Sequence, residues 1–125
     1  MNVLLVEDEA ALADVFVRNL RARSHEVTVA ATAEDAVRLL ADQRHDVLIL
    51  DVNLPDQTGW DVLRRLSAAQ RMLLRVIVIS AAPISRKRIE EFRADVALQK
   101  PFPIDALVRA LTGEPAPAVA YVGDS

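Results

Sequence analysis

Five side chains in this sequence have the types and settings to do chemistry: the adjacent acids Glu7 and Asp8, then Asp51, Ser80 and Lys100. Each stands at or just past the end of an aliphatic run. Glu7-Asp8 follows Val3-Leu4-Leu5-Val6, Asp51 closes Val47-Leu48-Ile49-Leu50, Ser80 closes Val76-Ile77-Val78-Ile79, and Lys100 follows Val96-Ala97-Leu98. Runs without polar alternation are strands buried on both faces, which only helices on both sides can cover. In a parallel sheet so covered, the C-terminal strand ends emerge along one rim. Three carboxylates, a hydroxyl and an ammonium are therefore expected to converge there. Crowded carboxylates repel one another, and a proton or a divalent cation relieves that cost. An all-oxygen set suits Mg²⁺, or Mn²⁺, better than zinc or copper. A carboxylate beside a partly hydrated Mg²⁺, facing a hydroxyl and a lysine, is equipped to accept a phosphoryl group on Asp51.

The elements that must position these groups alternate along the chain. Leu12, Val15, Phe16 and Leu20 fall at helical spacing, with Arg18, Arg21 and Arg23 between them. Glu26 to Ala30 alternates apolar and polar residues, as a strand nearer a sheet edge does. Thr32 is a candidate N-cap, with Asp35 three residues on, for a helix carrying Ala36, Val37, Leu39 and Leu40. A further helix is expected from about Thr58 to Ser67. A short charged one lies within Pro83 to Arg93. Pro103 is placed at the first position of a last helix, whose Ile104, Leu107, Val108 and Leu111 follow the i, i+3, i+4, i+7 pattern. Alternating strands and helices imply a parallel sheet with right-handed crossovers. Gly113, Pro115 and Pro117 forbid continuation, so one domain over 1–112 and a flexible tail or linker over 113–125 are expected.

Bulk properties exclude several classes. A chain of 125 residues makes one domain, and 52% hydrophobic with 26% charged residues is ordinary for a soluble globule. The net charge of −3 leaves no electrostatic footprint for nucleic acid. With no cysteine there are neither disulfides nor thiolate metal sites. The apolar start, Val3 to Val6, is too short for a signal peptide core or a membrane span, so the cytoplasm is the expected compartment. Arginine outnumbers lysine thirteen to two, which singles out Lys100. His25 and His45 precede strands, so they are expected at the surface of the opposite rim.

Four motifs, in this order and register, resemble the receiver domain of bacterial two-component response regulators. They are Leu4-Leu5-Val6-Glu7-Asp8-Glu9, Asp51-Val52-Asn53-Leu54-Pro55 with Gly59, Ile79-Ser80-Ala81, and Lys100-Pro101-Phe102. The resemblance covers about residues 2 to 111. It implies a doubly wound, flavodoxin-like α/β fold: a five-stranded parallel sheet ordered 2-1-3-4-5, flanked by five helices. It implies that Asp51 accepts a phosphoryl group from a partner histidine kinase or phosphotransfer protein. Asp8, Asp51 and the backbone carbonyl of Asn53 would hold Mg²⁺, with Glu7 acting largely through water. Ser80 and Lys100 would attend the phosphoryl group, and the Lys100-Pro101 bond would be cis. Such a domain is a signalling module rather than an enzyme. It works on a downstream protein or effector domain outside this chain, or pairs with a second copy through the fourth helix, fifth strand and fifth helix.

The sequence departs from the family pattern at three places. Ala97 stands where the family has its aromatic switch residue. Ser80 replaces the commoner threonine. Arg93-Ala94-Asp95 replaces Gly-Ala-Asp after a short fourth helix. The standard coupling of hydroxyl movement to aromatic rotation is therefore closed: either the signal leaves by another route, such as movement of the segment 81–93, or the domain is weakly switched. Ala97 also sustains a second reading, a pseudo-receiver that docks or dimerises constitutively. A phosphohydrolase is disfavoured, because Asn53 stands where a general acid would be needed. Alone, each motif has a plain structural reading: a turn aspartate, an acidic helix start, a strand-end hydroxyl, a loop dipeptide. Arg86-Lys87-Arg88 reads as a solvated helix face, and Trp60 as packing.

Overall fold

The computed structural model describes residues 1–113 and the backbone of Tyr121–Val122. Most of the tail expected over 113–125 lies outside these residues. In chain order the elements are β1 (Asn2–Val6), α1 (Ala10–Arg21), β2 (Glu26–Ala30), α2 (Ala33–Asp42), β3 (Val47–Asp51), α3 (Gly59–Arg64), α4 (Ala68–Met72), β4 (Arg75–Ser80), β5 (Ile84–Ser85), α5 (Arg86–Phe92), β6 (Val96–Gln99), α6 (Ile104–Thr112) and β7 (Tyr121–Val122). The main sheet is parallel, in the order β2-β1-β3-β4-β6. Leaving aside the two-residue β5, which pairs with β7 outside the main sheet, this is the expected order 2-1-3-4-5.

The period-two geometry of a strand divides each aliphatic run between two cores. Val3, Leu5, Val47, Ile49, Ile77 and Ile79 face one side with Phe16, Leu20, Leu107 and Leu111 of α1 and α6. Leu4, Val6, Leu48, Leu50, Val76 and Val78 face the other, with Ala36, Leu40, Trp60, Val62 and Leu63 of α2 and α3. Each fully buried Leu or Ile contributes about 2 kcal/mol of burial, so the central strands are held from both faces. β3 has no exposed residue. That makes it a rigid mount for the aspartate at its end.

The helices differ from expectation in detail. Among the described residues six are present rather than five, because the helix expected over Thr58 to Ser67 stops at Arg64 and a separate helix follows it. The Ser67 hydroxyl accepts from the Gln70 N–H at 3.1 Å, and the Gln70 side chain accepts from the Ser67 N–H at 2.8 Å. This capping box starts the separate helix α4. Thr32 caps α2 as expected, accepting from the Asp35 N–H at 3.1 Å. Pro103 is the N-cap of α6 rather than its first helical residue. Val15 is 47% exposed, and Ala13 and Val17 take the inward places on α1. α5 is short, as the sequence implies, and ends on Arg93 with φ 54°. That left-handed conformation is one a glycine adopts without strain.

Histidine 45 corrects an expectation. It lies at the rim opposite Asp51, but it is 6% exposed rather than a surface residue, and its Nδ1 has no hydrogen-bond partner among the described residues. Its backbone sits just before β3, beside a cavity walled by Leu40, Leu73 and Leu74, so tertiary packing covers the ring.

Candidate functional site

β1 and β3 are hydrogen-bonded neighbours, so their ends deliver acids side by side. Glu7 continues the β1 ladder, its N–H donating to the Ala30 carbonyl at 3.0 Å, and its side chain is 2% exposed. Asp8, one residue on, is exposed at the rim. Asp51 closes β3 in register with Ile79 of β4 and is 3% exposed. One carboxylate oxygen from each of Glu7, Asp8 and Asp51 lies within 4.8 Å of the others.

The rest of the site is built on the next two strands. Ser80 closes β4 and is buried, and its Oγ accepts from the Ala82 N–H at 3.1 Å, which fixes the turn after the strand. Lys100 follows β6, its N–H donating to the Ser80 carbonyl at 2.7 Å, and the Lys100–Pro101 peptide is cis. The Lys100 ammonium donates to Asp51 Oδ2 and to Glu7 Oε1, each at 2.7 Å. All five residues singled out by type and spacing thus belong to one rim. Asn53 joins them through its backbone, its N–H donating to Asp51 Oδ1 at 2.8 Å. The loop carrying Asn53 is closed by a bridge to Thr58 and by the Gly59 N–H donating to the Val52 carbonyl at 2.7 Å.

Burial drives the electrostatics. It pushes the Glu7 carboxyl above the usual carboxylate range, although its hydrogen bond from Lys100 pulls the other way. Burial also works against the charged form of Lys100, but hydrogen bonds to Asp51 and Glu7 outweigh it and leave the ammonium pKa raised. Lys100 is therefore charged at neutral pH. Three carboxyl groups thus gather around one ammonium. The donor set is all oxygen and fits a small hard divalent cation such as Mg²⁺. Both Glu7 oxygens are already engaged, Oε1 by Lys100 and Oε2 by the Glu9 N–H at 3.1 Å. Asp51 is engaged in the same way, Oδ2 by Lys100 and Oδ1 by the Asn53 N–H, which leaves exposed Asp8 the readiest direct ligand.

Two features of the neighbourhood were not foreseen. A cavity of about 270 Å³ adjoins Ser80, and Arg88 lines it. All three residues of the run Arg86-Lys87-Arg88 are exposed, as expected of a solvated face, and Arg88 borders this cavity as well. Trp60, expected to be packing, stacks on Phe92 with ring centroids 4.9 Å apart, and the Arg64 guanidinium lies 4.9 Å over the same Phe92 ring. The four-residue spacing of Arg88 and Phe92 on a helix was the available signal. Ala97 is buried at 1% on β6, beside Val78, and brings no aromatic ring to the site.

The doubly wound sheet and its acid-and-lysine rim define the CheY-like, flavodoxin-fold class of α/β domains. The family model described as "Response regulator receiver domain" matches residues 3–112. The chain belongs to the response regulator receiver domain family of two-component signalling. The probable transcriptional regulatory protein TcrX of Mycobacterium tuberculosis is 35% identical over 113 residues, 89% of this chain and 48% of that protein. The cell cycle response regulator CtrA of Brucella ovis is 35% identical over 109 residues, 86% of this chain and 47% of that protein. The chain thus spans about half the length of these curated relatives. Among solved structures, the receiver domain of the sensor histidine kinase PA1611 from Pseudomonas aeruginosa superposes with a TM-score of 0.79 at 28% identity. The match covers 90% of this chain and 94% of that one, and that structure holds a magnesium ion coordinated in its active-site cleft. Among the described residues, no helix is long and apolar enough to cross a membrane.

Proposed function

We propose that this domain accepts a phosphoryl group on Asp51 from the phosphohistidine of a histidine kinase or phosphotransfer protein. The observation that carries this reading is the Lys100 ammonium held 2.7 Å from the Asp51 carboxylate and 2.7 Å from Glu7 at the C-terminal rim of the sheet. An Asp51 oxygen forms the new O–P bond as the donor's N–P bond breaks, and the leaving imidazole keeps the electron pair and takes up a proton. Lys100 offsets negative charge on the phosphoryl oxygens, and the Ser80 hydroxyl donates to one of them. Asp8, Asp51 and the Asn53 carbonyl would hold Mg²⁺, with Glu7 acting through water. When bound, the ion neutralises charge on the transferring group. The rigid mounting of Asp51 on β3 supports a catalysis that is mainly positioning.

In this reading the domain is a signalling module, not a turnover enzyme, and it works in the cytoplasm. Its targets are an effector domain or protein beyond this chain, or a second copy through the α5–β6–α6 face. Intact mass after incubation with acetyl phosphate and Mg²⁺ tests the reading. One added phosphoryl group is expected, absent in Asp51→Asn and in the presence of a chelator. An unchanged mass for the native chain would overturn it.

A further inference from the structure

We propose that Arg88 reads the phosphoryl group on Asp51, and that the Trp60–Phe92 stack passes the event to α5 in place of the missing aromatic on β6. The inference rests on the phospho-acceptor reading of Asp51 and adds a residue to it. The cavity of about 270 Å³ beside Ser80 is walled by Asn53, Trp60, Ser80, Ala82, Pro83 and Arg88, among others, and among the described residues Arg88 is the one cationic side chain lining it. Ala82 leaves the wall nearest Ser80 small. Two of the lining residues, Ser80 and Asn53, also border Asp51: the Asn53 N–H bonds its carboxylate, and Ser80 ends the neighbouring strand. A phosphoryl group on Asp51 and the Arg88 guanidinium would therefore border one open cavity.

The present contacts of Arg88 are weak ones. Its Nη1 reaches Glu91 Oε1 at 3.3 Å, with the two side chains 46% and 53% exposed, and its guanidinium lies 5.8 Å from the Phe92 ring centroid. An exposed pair of this kind is worth about 0–1 kcal/mol. A guanidinium on a phosphoryl dianion makes shorter, charge-assisted and often bidentate bonds, so a new anion in the cavity outcompetes Glu91. α5 is equipped to respond. It has seven residues, none fully buried, and docks through partly buried Ile89 and Phe92. Drawing Arg88 inward removes a cation from the Phe92 face and pulls the first turn of α5 toward the site. The stack of Phe92 on Trp60 must then adjust.

Trp60 is the single tryptophan of the chain, so its emission reports on that stack directly. The experiment adds Mg²⁺ and beryllofluoride, a phosphoryl mimic, and follows mimic binding by fluorine NMR and Trp60 by fluorescence. The native chain is expected to bind the mimic and change its Trp60 emission. Arg88→Gln is expected to bind it roughly three- to tenfold more weakly and, at saturation, to lose the emission change. Arg64→Gln also strips a cation from Phe92 but lies outside the cavity, so it should keep the native response. A native emission change in saturated Arg88→Gln, or none in the native chain despite bound mimic, overturns the proposal and leaves the phospho-acceptor reading standing. Loss of the response in both arginine variants reduces Arg88 to a support of the stack and overturns it as well. Failure of the native chain to bind the mimic removes the phospho-acceptor reading and this inference together.

Discussion

Lys100 carries two carboxylates at once, and that makes it the most informative side chain to remove. Its ammonium bonds Glu7 and Asp51, whose side chains are 0% and 4% exposed. Truncating one partner of a buried pair leaves the others uncompensated, which is costlier than the net worth of the pair itself. Lys100→Met should therefore lower stability by about 3 kcal/mol at neutral pH without metal. A divalent cation can take over the ammonium's electrostatic role. Added Mg²⁺ should accordingly raise the unfolding midpoint of Lys100→Met by more than it raises that of the native chain. Thermal unfolding with and without Mg²⁺ checks this, and equal metal shifts in the two proteins would contradict it. The residues of this site were legible because each closes an aliphatic run, and strand ends in a parallel sheet are forced to one rim. Arg88 was not legible as a cavity residue. Its place depends on how α5 docks, which nothing local in Arg86-Lys87-Arg88 specifies.

At the scale of elements, the turn from β3 into α3 is tuned to the site through Gly59. A Cβ built there would stand 2.3 Å from the Asp51 carbonyl oxygen and 3.0 Å from Val52 Cα. Both obstacles are backbone atoms of the segment that holds the acceptor aspartate, so neither can swing aside as a side-chain tip would. Gly59→Ala should cost about 3 kcal/mol and should also impair phosphoryl acceptance, because relief of the clash has to shift Asp51 or the Asn53 loop. Urea unfolding gives the first quantity and intact mass the second; a loss below about 0.5 kcal/mol would show that the turn is softer than its geometry implies. Elsewhere the elements were readable where one physical signal dominates. The buried strands announced themselves as uninterrupted Val, Ile and Leu, and α6 by its apolar spacing. The separate helix α4 after Ser67 did not, since its signal is the reciprocal Ser67–Gln70 cap and not an apolar spacing.

On the scale of the whole molecule, the sheet separates two rims. One gathers charge at Asp51. The other buries His45 without a partner for Nδ1, a placement no local pattern signals, because the covering residues come from the end of α2 and the segment after α4. Burial holds the His45 pKa below its ordinary 6.5, against the opposing pull of the Gln43 backbone and the Asp46 carboxylate. The unfolded chain then takes up a proton near pH 6.5 that the folded chain refuses until its lower pKa is reached. The stability His45 contributes is thus complete above 6.5 and is lost as pH falls toward the lowered value, with a slope of at most about 1.4 kcal/mol per pH unit. His25 is shifted in the same direction, so the native pH profile alone does not isolate the effect. The difference in unfolding free energy between the native chain and His45→Gln does, since the His25 contribution is common to both. That difference should shrink in favour of the variant between pH 7.5 and 5.5. A difference that stays constant across this window would mean the imidazole is protonated as readily inside the fold as outside it, and that the rim opposite the phosphoryl site is open to water.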